Sequence, residues 1–400
     1  MDGIDSTGTD APGFDFTRLR RFPDIEAENL FAHDATDELI LAEAAAPLAA
    51  LAGEAGQETH DGGSVAIVGD RYGALTLATA ENHRLSGLRV HQDGRSGELA
   101  LSANAEALGL SGQFVSRPLD REFFAGVGTV LWQLPRSLDE LAETAELISR
   151  FARPDVQVVA GGRIKHMTLA MNTVLGQYFE NVAPTRAWRK SRALLVSGPR
   201  AVGTAPDAAL AFPHEEFNEP LGLWLCAHGA TFAGTKLDIG TRYLLDFMEQ
   251  MRPGASAAID LGCGNGAVAA ALASARPQLR VTATDQSAAA VASAGATAAR
   301  NGLEGRVTAV QDDAMAGFAP ASAELVVLNP PFHVGATVHA GIALKLFDAA
   351  ARVLAPGGEL WTVYNHHLDY RHQLQERVGP TWVKGRNNKF TVAVSVKAGV

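Results

Sequence analysis

The chain has 400 residues, 47% of them hydrophobic and 20% charged, with two cysteines and a formal net charge of −10. That length and composition imply a globular protein of two domains, and Cys226 and Cys263 exclude a disulfide framework and fit a reducing, cytoplasmic setting. The first 60 residues carry 13 acidic and 3 basic side chains and so account for the whole net charge; the balance of the remainder neither supports nor excludes a nucleic-acid partner.

Residues 1–21 are rich in Gly, Ser, Thr and Asp without periodicity, which predicts a flexible leader, and they hold no apolar run of the secretory kind. The longest apolar stretch, LILAEAAAPLAALAG, is short and carries Glu43, so no membrane span is expected. From residue 22 the chain states one pattern twice. SVAIVGDRYGALTLATA and LRVHQDGRSGELALSANAEALGL in the first half match SAAIDLGCGNGAVAAALASA and LRVTATDQSAAAVASAGATAARNGL in the second. TVLWQLPRS then matches LVVLNPPFH, and WRKSRALLVSG matches KGRNNKFTVAVSVKA. Such repetition predicts a duplicated domain, 22–200 and 221–400, joined by an Ala-, Pro- and Glu-rich linker over 201–220.

In the second half, strands are expected near 256–261, 280–284, 306–310, 323–329 and 358–364. Helices are expected near 266–275, 288–301, 337–354 and 368–377. Alternation of strand and helix implies parallel strands and right-handed crossovers. TWVKGR and KFTVAVSVKA, parted by Asn387-Asn388, predict a terminal hairpin with one antiparallel strand at the sheet's end. The fold class is therefore α/β: two tandem, doubly wound, Rossmann-like domains, each a mostly parallel seven-stranded sheet closed by an antiparallel hairpin.

AIDLGCGNGAV places Gly262, Gly264 and Gly266 between the first strand and its helix, where glycines let the backbone approach a ligand and expose amides. Asp260 just before them disfavours a pyrophosphate and suits a cation such as the amino group and sulfonium of S-adenosylmethionine. Asp285 ends the second strand, placed for ribose hydroxyls, with a helix-cap role as its alternative. Asp312 and Asp313 end the third, and Asp313 is the better placed to accept from an adenine amine.

The fourth strand stops at Asn329-Pro330-Pro331-Phe332. An exocyclic amine on a base is a poor nucleophile, because its lone pair is delocalised into the ring. Acceptors fixed around its N–H groups favour the pyramidal geometry that attack requires. The Asn329 side-chain oxygen and the Pro330 carbonyl can be those acceptors. Neither proline carries an N–H to compete for them, and Phe332 can stack on the base. The plainer reading is a strand ended by a Pro-Pro turn.

AIDLGCGNG, TATD, QDDA and LNPPFH together resemble the motif series of class I S-adenosylmethionine-dependent methyltransferases that act on exocyclic amines. The chain is similar to the bacterial ribosomal RNA guanine-N2 methyltransferases, which pair a degenerate domain with an active one. KLDIGTRYLL, NHHLDYRHQL and RNNKFTVAV resemble the large-subunit (23S) type more than the small-subunit (16S) type. The resemblance is detailed over 221–400 and only architectural over the first half. It implies that Asn329, Pro330 and Phe332 handle the target base, and that Asp260, Gly262, Gly264, Gly266, Asp285 and Asp313 hold the cofactor beside Asn329. Adenine-N6 and protein glutamine-N5 methylation use similar sites, and a non-catalytic RNA-binding or ribosome-assembly protein is the alternative of another class.

The first half departs from the pattern where the chemistry lies: GDRYG replaces GCGNG, Gln133–Arg136 replaces the Asn-Pro-Pro-Phe run, and bulky Tyr72 crowds the loop. This implies a domain that kept its fold and lost its reaction. Arg186, Arg189, Lys190 and Arg192 flank Trp188, offering cations for RNA phosphate and a ring for stacking, against the alternative of a solvated turn. Phe232 and Asp238, in ATFAGTKLDIGTR, are expected near the cofactor's methionine end, although Asp238 could equally cap the next helix. His333, His339, His366 and His367 show no converging ligand spacing, so no metal is expected.

Overall fold

The computed structural model describes residues 13–51, 60–200, 208–331 and 336–399. Two compact units divide the chain, one of Met1–Gln92, Gly97–Arg136 and Thr144–Thr204, the other of Asp93–Ser96, Ser137–Glu143 and Ala205–Val400. Phe332 and His333, residues 1–12 of the leader and 201–207 of the linker lie outside the described residues.

In the first unit the strands are β1 (Val65–Val68), β2 (Leu88–His91), β3 (Phe114–Ser116), β4 (Thr129–Gln133), β5 (Gln157–Arg163), β6 (Phe179–Pro184) and β7 (Ser191–Pro199), in spatial order β3-β2-β1-β4-β5-β7-β6. The second unit repeats this with β8 (Ala257–Leu261), β9 (Arg280–Asp285), β10 (Val307–Gln311), β11 (Ala323–Leu328), β12 (Leu354–Asn365), β13 (Thr381–Arg386) and β14 (Phe390–Val396), ordered β10-β9-β8-β11-β12-β14-β13. Shifted by seven, the two orders are identical. In each sheet six strands run in one direction, and β7 or β14 is antiparallel to both of its neighbours. The reversed strand thus sits one in from the edge rather than at it.

Apolar runs in the sequence become central strands because both faces of the sheet are covered. Along β11, Leu325 and Val327 join a core with Val268 and Leu272 of helix α4 (Ala267–Ala275) and Ala294 of α5 (Ala288–Arg300). Their neighbours Val326 and Leu328 point the other way, to Phe347 and Ala350 of α6 (Ala336–Val353). Each of these four side chains is fully buried, contributing about 1.5–3 kcal/mol relative to exposure. In the first unit the matching helices after β1 and β2 are α1 (Ala74–His83) and α2 (Arg95–Leu108), and in the second α3 (Ile239–Leu245) precedes β8.

Two further expectations are corrected. The leader does not reach residue 21: Phe14 and Leu19 are buried in the first unit's core, and the Phe14 N–H donates to Asn82. The linker ends before 220, because His214–Asn218 pairs antiparallel with Leu223–Ala227 inside the second unit. The basic turn around Trp188 is itself the turn of the β6–β7 hairpin, closed by reciprocal bonds between Trp188 and Ser191.

Candidate active site

The carboxyl ends of β8, β9, β10 and β11 lie side by side in the second sheet, and the predicted residues stand on them. After β8 the chain turns through Gly262, Gly264 and Gly266, with φ of 75°, 51° and 77°. Gly266 is glycine for packing as well as for φ, since a Cβ there would lie 2.8 Å from the Ala294 backbone. At Gly264 a Cβ would meet nothing within 4 Å, and at Gly262 only the Asn329 carbonyl oxygen at 4.0 Å. These two positions therefore border open space, a cradle that side chains would fill.

Asp285, half-buried at the end of β9, faces this turn. Its Oδ2 accepts from the Gly264 N–H at 3.1 Å and its Oδ1 from the Ser287 N–H at 3.0 Å. Burial raises its carboxyl above the ordinary range, and the two N–H groups oppose that rise. Ser287, not Asp285, caps α5. Asp260 is placed differently from Asp285. Level with Ala283, it is turned toward α4, where its Oδ2 accepts from the Ala269 N–H at 3.0 Å. Its carboxyl, pushed up to about 7 by burial, fastens the helix to the strand beneath the glycine turn.

At the end of β10 the two aspartates divide their work. Asp312 accepts from the N–H groups of Ala316 and Gly317, holding the turn. Asp313 faces outward and pairs with Lys345 of α6, whose Nζ donates to Oδ1 at 2.7 Å and Oδ2 at 2.6 Å. The far lone pair of each oxygen stays available to a second donor.

Asn329 follows β11. Its Nδ2 donates to Asp238 Oδ2 at 3.0 Å and to Thr241 Oγ1 at 2.9 Å. Among the described residues, its Oδ1 is buried without a hydrogen-bond partner. Asp238 performs the cap role that the sequence left open, accepting from the Thr241 N–H at 3.0 Å, and adds the bond to Asn329. Phe232 is exposed.

Sequence reasoning missed three residues. Thr241 lies in the quoted LDIGTR run, three positions after a helix cap, so a signal existed. Asn265, the fourth residue of the glycine turn, donates to the carbonyls of Gly234 and Lys236 and ties that segment to the turn. Lys345 carries no local signal, being 32 positions from its partner. Among the described residues, no group of three or more His, Cys, Asp or Glu is placed to hold a metal.

Comparison with known proteins finds relatives over nearly the whole chain. Residues 222–394 match the methyltransferase small domain, and residues 10–200 match the RLMG N-terminal domain. A relative from Streptomyces coelicolor, ribosomal RNA large subunit methyltransferase G, is 34% identical, the match covering 95% of this chain and 97% of the relative. The chain belongs to the ribosomal RNA large subunit methyltransferase G family. Another member, from Shewanella amazonensis, is 31% identical over 95% of this chain and 96% of its own length. Among solved structures, the Thermus thermophilus 16S rRNA N2 G1207 methyltransferase RsmC, in complex with AdoMet and guanosine, superimposes with a TM-score of 0.66. At 19% identity, covering 88% of this chain and 92% of that one, it shares the fold.

In this chain Arg186, Trp188, Arg189 and Lys190 are all exposed, on the hairpin turn of the first unit. The Arg189 guanidinium lies over the Trp188 ring, 4.4 Å from its centroid, and also pairs with Glu38 at 3.3 Å. Arg189 and Lys190 both have positive φ, which suits a two-residue hairpin turn.

Proposed function

We propose that the chain transfers a methyl group from S-adenosylmethionine to the exocyclic N2 amine of a guanine in 23S ribosomal RNA. The single observation that carries this reading is the Asn329 amide. Both of its protons are committed to Asp238 and Thr241, while its oxygen, buried and without a hydrogen-bond partner among the described residues, is left as an acceptor just past the end of β11. A buried acceptor left without a donor costs about 1–3 kcal/mol, and an amine N–H on a substrate supplies the missing partner.

The cradle fits the cofactor. Open space at Gly262 and Gly264 admits it, and Asp285 keeps lone pairs for ribose hydroxyls. Asp313 is the acceptor assigned to the adenine amine, and Asp260 acts from beneath, holding the turn on α4. Bound there, S-adenosylmethionine supplies an electrophilic methyl group on a sulfonium that leaves as a neutral thioether. The chain's own part is to orient the amine. Asn329 Oδ1 and the Pro330 carbonyl accept its protons, turning its lone pair out of conjugation and toward the methyl, and Phe332 stacks on the base. The methylated nitrogen, made acidic by the transfer, then releases one proton to water, so no strong base is required.

Trp188 and the cations beside it are the proposed contact to RNA phosphates and bases in the first unit. The family relationship favours 23S over 16S RNA, and a cytoplasmic location follows from such a substrate. The test is transfer of labelled methyl to rRNA from a strain deleted for this protein, followed by mass-spectrometric mapping. One new N2-methylguanosine in 23S rRNA is expected; label on adenine or on protein glutamine alone would replace the reading.

A further inference from the structure

An amide can hydrogen-bond in two orientations, and only one of them leaves Asn329 Oδ1 available to a substrate. The geometry around it removes the other. Asp238 is acceptor-only when ionised, so its carboxylate at 3.0 Å requires the nitrogen of the amide and repels the oxygen. Thr241 Oγ1, at 2.9 Å, receives the second amide proton. Space for this arrangement depends on Gly240, between the two partners. A Cβ there would come within 3.0 Å of Asp238 Oδ2 and 3.6 Å of Asn329 Nδ2. Helix α3 is thereby a fixture for one side chain on a strand about 90 residues away.

We infer that Asp238 and Thr241 are positioning residues that lock the Asn329 amide in the orientation presenting Oδ1 to the substrate amine. The inference rests on the role proposed above for Asn329 and assigns the control of that role to α3. Neither residue need touch substrate or cofactor. Their effect is on the fraction of enzyme in which the acceptor points the right way, and on how firmly it is held there. Loss of the lock lowers kcat through misalignment, with little change in cofactor affinity.

Asp238 also caps α3 through Thr241 N–H, so the test must separate the cap from the lock. Asp238→Ser keeps a capping oxygen but is too short to reach Asn329. Asp238→Asn keeps an oxygen that can serve both bonds. Thr241→Val preserves shape and backbone N–H and removes only the hydroxyl. In the full-length chain, with labelled S-adenosylmethionine and rRNA from the deletion strain, Asp238→Ser should lower kcat at least about tenfold and Thr241→Val about threefold to tenfold. Asp238→Asn should restore turnover to within about threefold of wild type, and cofactor affinity by calorimetry should stay within about twofold throughout. Thermal unfolding checks that each variant is folded, and if Asp238→Ser is not, Thr241→Val decides. Wild-type kcat in folded Asp238→Ser or Thr241→Val, with Asn329→Ala inactive, overturns the lock alone. Wild-type turnover in Asn329→Ala overturns the role of Asn329 itself.

Discussion

The two halves turn through nearly the same backbone after their first strand and put different side chains on it. Gly262, Gly264 and Gly266 have φ of 75°, 51° and 77°; Gly69, Arg71 and Gly73 have 78°, 52° and 99°. Arg71 therefore keeps a left-handed conformation that suits glycine, in a turn where Gly264 leaves open space. Both turns rest on a buried carboxylate that accepts from the following helix, Asp260 from Ala269 N–H and Asp70 from the N–H groups of Leu75 and Thr76. The fourth turn residue has also changed partner. Asn265 fastens the segment before α3, whereas Tyr72 is buried, donates to Asp24 at 2.6 Å and lies under the Arg21 guanidinium. An amide–carboxylate pair survives at the fourth strand of each, since Gln133 donates to Asp37 as Asn329 donates to Asp238. What separates the halves is the unpartnered Oδ1 of Asn329 and the open glycine cradle. The fold preserves backbone path and buried polar pairs because stability requires them, while the open cradle and the unsatisfied Asn329 acceptor, which stability disfavours, stand together at the strand ends of the second half.

The sharpest way to break this contrast is to remove the amide from each half. Asn329→Ala should lower methyl transfer by at least about 100-fold, measured in a single turnover, while cofactor affinity is nearly unchanged. Gln133→Ala should leave the transfer step near wild type and cost stability instead, because it strips a buried carboxylate of one of its partners and leaves the Asp34 N–H. Equal loss of transfer in both variants would mean that the first half shares in the reaction.

Cofactor binding gives the next largest effect. Calorimetry should find one S-adenosylmethionine per chain, and Asp285→Ala should weaken it about tenfold to 100-fold, since charged hydrogen bonds are each worth about 1.5–3 kcal/mol. Two equivalents bound, or an affinity unchanged by the substitution, would erase the distinction between the turns.

Strand positions, helix positions and the duplication were legible in the sequence because hydrophobic periodicity and glycine turns are local signals. The three strand-end carboxylates were legible as a set, but not in their separate duties. Asp260 and Asp285 are both acids at strand ends on one face of the sheet, but Asp260 is level with Ala283, and Asp285, two residues further along, reaches the cradle. The Asn329 acceptor was read from local chemistry. Its lock was not, because the partners lie 88 and 91 residues away in a helix whose cap was recognised only as a cap. The buried leader residues Phe14 and Leu19 were missed for a related reason: two apolar side chains in a polar stretch carry no periodicity, and only the unit's core shows where they go.

Buried carboxylates make both halves sensitive to pH in the same direction. Burial raises Asp260 and Asp37 to about 7 and Asp70 to about 6, from an ordinary value of 3.8. A raised carboxyl binds its proton more tightly in the folded chain than in the unfolded one. Its contribution is therefore fully present below about pH 4 and lost as pH rises through 6 to 7. Urea midpoints should fall between pH 5 and pH 8, and Asp260→Asn, which keeps an acceptor for Ala269 N–H, should flatten that fall. A midpoint that rises with pH over this interval would contradict the burial of these groups.

The smallest effect tests the turns directly. Arg71 occupies a left-handed conformation that costs an L-residue with a Cβ about 1–2 kcal/mol, and no hydrogen bond from its side chain offsets that cost among the described contacts. Arg71→Gly should stabilise the chain by about 1 kcal/mol at most, because the greater freedom of glycine in the unfolded state takes back part of the gain. The reciprocal change, Gly264→Arg, asks the second half to accept what the first already tolerates. Since the φ values of the two positions differ by a single degree, the backbone should follow, at a comparable loss of stability. The arginine would instead occupy the space bordering the cradle, so the variant should fold, unfold at a slightly lower urea concentration, and bind no S-adenosylmethionine. Retained binding in folded Gly264→Arg would show that the open space at this position is not where the cofactor lies.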